Sequence, residues 1–204
     1  MSEFDQKAAT WDENPERVKR AEVIAKRIAS NLDLSKVKAA LEYGSGTGLL
    51  SFALRDKIPH IMLMDESAEM IRVALVKKDK LEAFNIDPIQ YNLQKQPLPN
   101  IRFDLIYLLL TLHHIEDVGS ILKKFNELLT ENGHLVIIDL DKEDGSFHDG
   151  EFHGHKGFER DNLEALLRAS GFQPQSYNVC YKLEKETEEG LKKYPLFLLV
   201  SEKV

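Results

Sequence analysis

Two groups of residues in this sequence have types and spacings suited to chemistry. The first is Leu41–Ser51, LEYGSGTGLLS, where Gly44, Gly46 and Gly48 alternate directly after an apolar run. Glycines so placed admit left-handed backbone and let a ligand lie against the peptide groups. The second is a set of histidines: His113 and His114 side by side, then His148, His153 and His155 within Ser146–Phe158, SFHDGEFHGHKGF. Imidazole titrates near neutrality and ligates transition metals, so these residues suit proton transfer or metal binding.

The loop itself narrows the guest. A dinucleotide fingerprint reads G-x-G-x-x-G, but the third glycine comes one place early, at Gly48, and Leu49 stands where it belongs. This leaves a nicotinamide dehydrogenase as a distant alternative. A P-loop needs Gly-Lys-Ser/Thr, which is absent. Glu42, just before the loop, would repel a phosphate and suits a cationic or amino-bearing ligand. Asp65 closes the next apolar run, where a carboxylate can accept hydrogen bonds from both ribose hydroxyls. A nucleoside-type cofactor is therefore expected. The competing reading is a bare strand-to-helix turn with Asp65 as a cap.

These residues must be carried by regular elements. Asn14, Pro15 and Glu16 make a helix start, and Val18, Ala21, Ile24, Ala25, Ile28 and Leu32 recur at helical spacing, so a helix over Pro15–Asn31 is expected. Strands are expected at Lys38–Tyr43, His60–Asp65, Pro88–Tyr91, Phe103–Leu110 and His134–Leu140. Helices are expected at Leu49–Asp56, from the Ser67 cap to about Glu82, from Val118 until Asn132-Gly133 stops it, and over Glu159–Ser170, closed by Gly171. The polar stretch Lys182–Lys193 reads as a solvated connection between last strands at Gln175–Leu183 and Leu196–Glu202. Strand–helix alternation implies an α/β domain with a parallel sheet, and the short final connection implies one antiparallel strand. One domain over residues 1–204 is expected, with residues 1–32 as an N-terminal lid and helix.

Composition excludes several classes. The 204 residues carry a net charge of −7, against a large nucleic-acid footprint. No apolar run of membrane-spanning length and no secretory h-region is visible, so a cytoplasmic location is expected. The single cysteine, Cys180, allows no internal disulfide or cysteine-built metal cluster.

With these residues in hand, the sequence resembles the class I S-adenosylmethionine-dependent methyltransferases. It looks most like the type 11 methyltransferase domains, a group that includes the ubiquinone/menaquinone-biosynthesis C-methyltransferases. Glu42–Gly48 matches the E/D-x-G-x-G-x-G loop of the family, and MDESAEMI (Met64–Ile71) its second motif. FDLIYLLLTLHHIED (Phe103–Asp117) matches the fourth motif, LLTENGHLVIID (Leu128–Asp139) the run through the fifth strand, and FDQKAATWDE (Phe4–Glu13) the lid.

The resemblance implies a Rossmann-like, mostly parallel seven-stranded sheet with the last strand inserted antiparallel and helices on both faces. It implies S-adenosylmethionine as cofactor, held by Glu42, Gly44, Ser45, Gly46, Thr47, Gly48, Asp65, Glu66, Met70, Asn92, Leu93, Leu108 and His113. Glu42 would reach the methionine end, Asp65 the ribose and Met70 the adenine. The Leu108 carbonyl would lie near the amino group. The family often has an acid where Asn92-Leu93 stands, and an amide can still accept the adenine amino bond.

Methyl transfer needs proximity more than a fixed catalytic triad, and the catalytic residues stay unassigned. Substrate-side candidates are Trp11, as pocket cover, with His113, His148, His153 and His155. His114 is expected to pack inward, with His113 bordering the cofactor. Asp139 and Asp141 are expected as strand-end caps. The spacing of His148, His153 and His155 is permissive for zinc, yet packing explains such residues more simply and no metal is expected. A small-molecule acceptor is expected, with neither nucleic acid nor membrane as partner. Two alternatives stay open. One is a methyltransferase of tRNA or protein, although LLLT stands where the Asn-Pro-Pro-Tyr type motif would be. The other is a non-catalytic S-adenosylmethionine-binding regulator.

Overall fold

The computed structural model describes residues 2–148, 150, 152–187 and 190–204. Asp149 and Glu151 of the histidine loop, and Glu188 and Glu189 of the Lys182–Lys193 stretch, lie outside the described residues. The chain forms two compact units, residues 1–107 and 108–204. Its seven strands follow the order β3-β2-β1-β4-β5-β7-β6.

The first unit begins with helix α1 (Glu3–Lys7) and a 3-10 turn over Ala8–Glu13. Helix α2 (Pro15–Asn31) has the expected bounds, because the Asn14 side chain accepts the N–H groups of Glu16 and Arg17 and Pro15 needs no partner there. Strands β1 (Ala39–Tyr43), β2 (His60–Asp65), β3 (Ile86–Gln90) and β4 (Phe103–Leu109) follow, and the first three are joined through helices α3 (Leu49–Leu54) and α4 (Ala68–Lys80). β1 runs parallel to both β2 and β4, and β2 parallel to β3. β1 is buried on both faces past its first residue, as its unbroken apolar run requires.

In the second unit, α5 (Val118–Leu128) buries Val118, Ile121, Leu122, Phe125 and Leu128, one stripe at helical spacing. The next element departs from expectation. Asn132-Gly133 does not stop the helix. The chain turns into β5 (Leu129–Leu140) at once, and Asn132, at φ +62°, sits as a kink near the start of that strand. Asn tolerates the left-handed region locally, so the pair bends a strand instead of ending a helix.

Helix α6 (Arg160–Ala169) ends before Gly171 at φ +83°. Strands β6 (Phe172–Thr187) and β7 (Gly190–Lys203) are longer than expected. The described Lys and Glu residues of Lys182–Lys193 are paired strand, with Glu184 opposite Lys193 and Lys185 opposite Lys192. Their alternation is the period of a strand with wet side chains, which imitates a solvated connection. β7 pairs antiparallel with both β5 and β6, the inserted last strand expected above.

A buried polar network braces the first unit. Glu42 on β1 is 3% exposed; its Oε2 accepts the Ser51 N–H at 3.1 Å and the Ser51 hydroxyl. Ser51 Oγ in turn lies 2.6 Å from the Tyr107 hydroxyl. Burial pushes the Glu42 carboxyl up to about 8, against the opposing pull of the Ser51 bonds. Unfolded, this group ionises near 4.5. Its contribution is therefore present below that value and is lost as pH rises toward about 8.

Two measurements follow from this packing. Wild type should lose stability to urea between about pH 5 and pH 8, at up to ~1.4 kcal/mol per pH unit, and Glu42→Gln should flatten that slope. Gly48 opens α3 at φ +79°, and a Cβ there would meet Leu63 Cδ1 at 2.6 Å. Gly48→Ala should cost about 2–4 kcal/mol in chemical denaturation, from left-handed strain plus overpacking.

Candidate functional site

In the first unit the site is built on the turn between β1 and α3. The N–H groups of Gly44 and Ser45 both bond the Met64 carbonyl, at 2.8 and 3.1 Å, which docks the turn on the end of β2. Gly44, Gly46 and Gly48 all have positive φ. Asp65, at the end of β2, accepts the Gly46 N–H through Oδ2 at 2.7 Å and the Ser67 N–H through Oδ1 at 2.9 Å. Burial raises its pKa, and those two bonds pull it back down. Each carboxylate oxygen keeps acceptor capacity beyond the single bond it receives.

The N-terminal segment of this unit is fastened to the same loop. Asp12 receives the Thr47 hydroxyl at 2.5 Å and pairs with Lys77 at 2.5 Å, while Lys77 also donates to the Thr47 carbonyl at 2.9 Å. The Ser67 hydroxyl donates to Asp5 at 2.5 Å, and Asp5 sits at about 2, lowered chiefly by that bond. Trp11 lies under the Arg17 guanidinium, 3.8 Å from its ring centroid. A Cβ on Gly46 would lie 3.9 Å from both Trp11 Nε1 and Met70 Sδ. Trp11, Met70 and Asp65 therefore converge on the peptide of Gly46.

The remaining first-unit candidates are placed as follows. Ser45 and Thr47 are buried in the loop, and Leu93 is fully buried. Glu42 holds the α3 N-terminus, its Oε2 accepting the Ser51 N–H and hydroxyl. Glu66 is exposed and pairs with the Asn92 amide at 2.7 Å and with Lys95 at 3.2 Å. The Asn92 oxygen already accepts the Gln94 N–H at 2.7 Å, so one of its two acceptor sites remains for an adenine amino group.

In the second unit Leu108 is fully buried in β4, and His113 lies in the 3-10 turn Leu112–His114 that follows. The expected orientation of the histidine pair is reversed: His113 is 1% exposed, and His114 is the outward member. The reason is Asp139. This fully buried carboxylate at the end of β5 lies 2.6 Å from His113 Nδ1 and accepts the His113 backbone N–H at 3.2 Å. A bare cap is thus too small a role for Asp139. The bond puts the ring N–H on Nδ1, and Nε2 of His113 is buried with no hydrogen-bond partner among the described residues. Asp141, by contrast, receives the Tyr177 hydroxyl and is a structural strand-end group.

Of the loop histidines, only His148 joins His113 and His114. It stacks on Phe152 with centroids 3.6 Å apart, and its Nε2 is likewise buried and unpartnered. Burial, then the nearby His113, lowers its pKa, which favours the neutral ring. His153 is exposed. His155 is locked to backbone: its N–H bonds the His113 carbonyl at 2.8 Å and its Nε2 lies 3.0 Å from the Ile115 carbonyl. Sequence reasoning missed Asp12, Lys77, Ser51 and Phe152, none of which sits in a telling pattern. Asp139 carried a signal, a carboxylate at the carboxyl end of a central strand.

Comparison with known proteins identifies the family. The profile of a methyltransferase domain family matches residues 17–177. An uncharacterized methyltransferase of Schizosaccharomyces pombe is 30% identical over 151 residues, 70% of this chain and 51% of that protein. A ubiquinone/menaquinone biosynthesis C-methyltransferase of a Shewanella species is 29% identical over 107 residues, 50% of this chain and 42% of that protein. The chain spans about half or less of the length of the curated relatives it matches. A SAM-dependent methyltransferase from Aquifex aeolicus has the same fold, with a TM-score of 0.68 at 20% identity, covering 94% of this chain and 99% of that one. With the profile covering most of its length and the seven-stranded order matching, the chain belongs to the class I S-adenosylmethionine-dependent methyltransferase domain family.

Proposed function

We propose that this protein transfers the methyl group of S-adenosylmethionine to a small-molecule acceptor. The observation that carries the reading is the convergence of Asp65, Trp11 and Met70 on the peptide of Gly46. It offers a carboxylate for ribose hydroxyls, a polarizable thioether for a base, and a large ring to keep water away. The sulfonium is already a good leaving group. In the transfer the S–CH3 bond breaks, a bond from the methyl carbon to the acceptor forms, and S-adenosylhomocysteine leaves. The protein supplies alignment and exclusion of water.

A small acceptor is favoured by the net charge of −7 and by the naming of one relative as a quinone-biosynthesis C-methyltransferase. The second unit carries its own aromatic cluster of Phe147, Phe152 and three histidines. Trp11 acts as a cover, held by Arg17 above it and by the Asp12–Thr47–Lys77 fastening beside it.

The test has two stages. Calorimetry should show micromolar-range binding of S-adenosylmethionine and none of NAD. Asp65→Ala should weaken it about tenfold or more, as loss of a charge-assisted hydrogen bond worth ~1.5–3 kcal/mol requires. With methyl-labelled donor and cell extract, label should appear in the low-mass fraction together with S-adenosylhomocysteine. Label in RNA or protein would replace the small acceptor with a macromolecule. Binding without turnover would replace the enzyme with a regulator.

A further inference from the structure

The two orphaned imidazole nitrogens of the second unit point to a ligand that the methyl-transfer reading does not supply. We propose that His113, His114 and His148 form a binding site for a late first-row divalent metal ion, zinc foremost. One ring nitrogen from each lies within 4.8 Å of the others. The rings themselves are close: 4.1 Å between centroids for His113 and His114, 5.1 Å for His113 and His148, and 5.5 Å for His114 and His148.

Three features distinguish this cluster from histidines that merely pack. First, Nε2 of both His113 and His148 is buried with no hydrogen-bond partner among the described residues. A buried polar nitrogen without a partner is costly, and a shared cation would satisfy both. Second, Asp139 takes Nδ1 of His113 at 2.6 Å, so Nε2 is the ring nitrogen left to ligate. That is the carboxylate–histidine–metal arrangement, in which the outer carboxylate fixes the tautomer and raises ligand basicity. Third, Phe152 stacked on His148 and Phe147 edge-on to it give the site an apolar wall.

The donor set selects the ion. Three neutral imidazoles suit zinc, cobalt, nickel or copper and are poor ligands for magnesium or calcium. Zinc–nitrogen bonds of about 2.0–2.1 Å place tetrahedral ligand atoms roughly 3.4 Å apart. Closing the cluster needs shifts of roughly 1–1.5 Å at the ring edges, within reach of small side-chain rotations. The outward position of His114 leaves a fourth position on the solvent side. Three protein ligands with one open position is the pattern of a reactive rather than a purely structural zinc. A water or an oxygen-bearing small molecule would complete it.

The site differs from the one the sequence spacing offered. His153 is exposed and His155 is bonded to backbone, so the His-x4-His-x-His trio is not assembled, and only His148 of that trio contributes. The metal site stands apart from the methyl-transfer reading, because its binding is measured without S-adenosylmethionine.

The experiment is calorimetry of zinc, cobalt and magnesium chlorides into untagged, chelator-stripped full-length protein, with cobalt absorption spectra as a second readout. Expected are equimolar zinc binding at micromolar affinity or tighter, cobalt bands of a four-coordinate nitrogen-rich site, and no magnesium binding. His114→Ala and His148→Ala should each lose about tenfold or more in zinc affinity while unfolding cooperatively, and His153→Ala should match wild type. The exposed position of His114 makes its variant the safer of the two for folding. Absence of zinc binding, wild-type affinity in both His114→Ala and His148→Ala, or an equal loss in His153→Ala would each overturn the proposal.

Discussion

The hydrogen bond from the Gly46 N–H to Asp65 is the constraint around which the first unit is arranged. It ties the turn after β1 to the end of β2, and it requires the left-handed backbone that only the glycines supply at low cost. Once that peptide is fixed, α3 starts at a set place, Met70 on α4 comes alongside, and Trp11 has a surface to lie over. The same carboxylate that organises the loop is the group suited to ribose. In the proposed function, loop geometry and ribose recognition would share one side chain, so altering it would disturb both.

Three acidic side chains at the carboxyl ends of strands do three different jobs. Glu42 on β1 is turned away from solvent onto Ser51 and holds a helix start, at the cost of a strongly raised pKa. Asp65 on β2 binds two backbone N–H groups and keeps capacity for a guest. Asp139 on β5 grips both the backbone and the ring of His113. Position along a parallel strand brings an acid to the functional end of the sheet, and the immediate hydrogen-bond partners then decide whether it braces, binds or orients.

What could be read in advance was what is local. Asn14-Pro15, Ser67 and Gly171 mark helix ends because caps act over a few residues, and those ends stand where they were expected. The contact of the glycine turn with Asp65 was legible for the same reason, since the two are neighbours through one β–α–β unit. Failures have physical causes. Asn132-Gly133 can end a helix or kink a strand, and only pairing of His134 onward with β7 decides it. Alternating Lys and Glu suit both a wet connection and an exposed strand face. The His113–Asp139 pair spans 26 residues and the His148 contact more, so both depend on how distant strand ends are brought together.

The outermost strands carry a further property. β3 contains Pro88 and β6 contains Pro174, so each sheet border includes a residue with no backbone N–H to offer. β6 is also interrupted by irregularities between Pro174 and Ser176 and between Val179 and Tyr181, and its far part is studded with lysine and glutamate. An unprotected border is a template for strand addition by another chain, the first step toward fibrous aggregation. Here neither border presents an unbroken ladder, and a strand drifting against β6 would meet charge before it met backbone. The long hairpin can project its edge into water without inviting the chain to polymerise on itself.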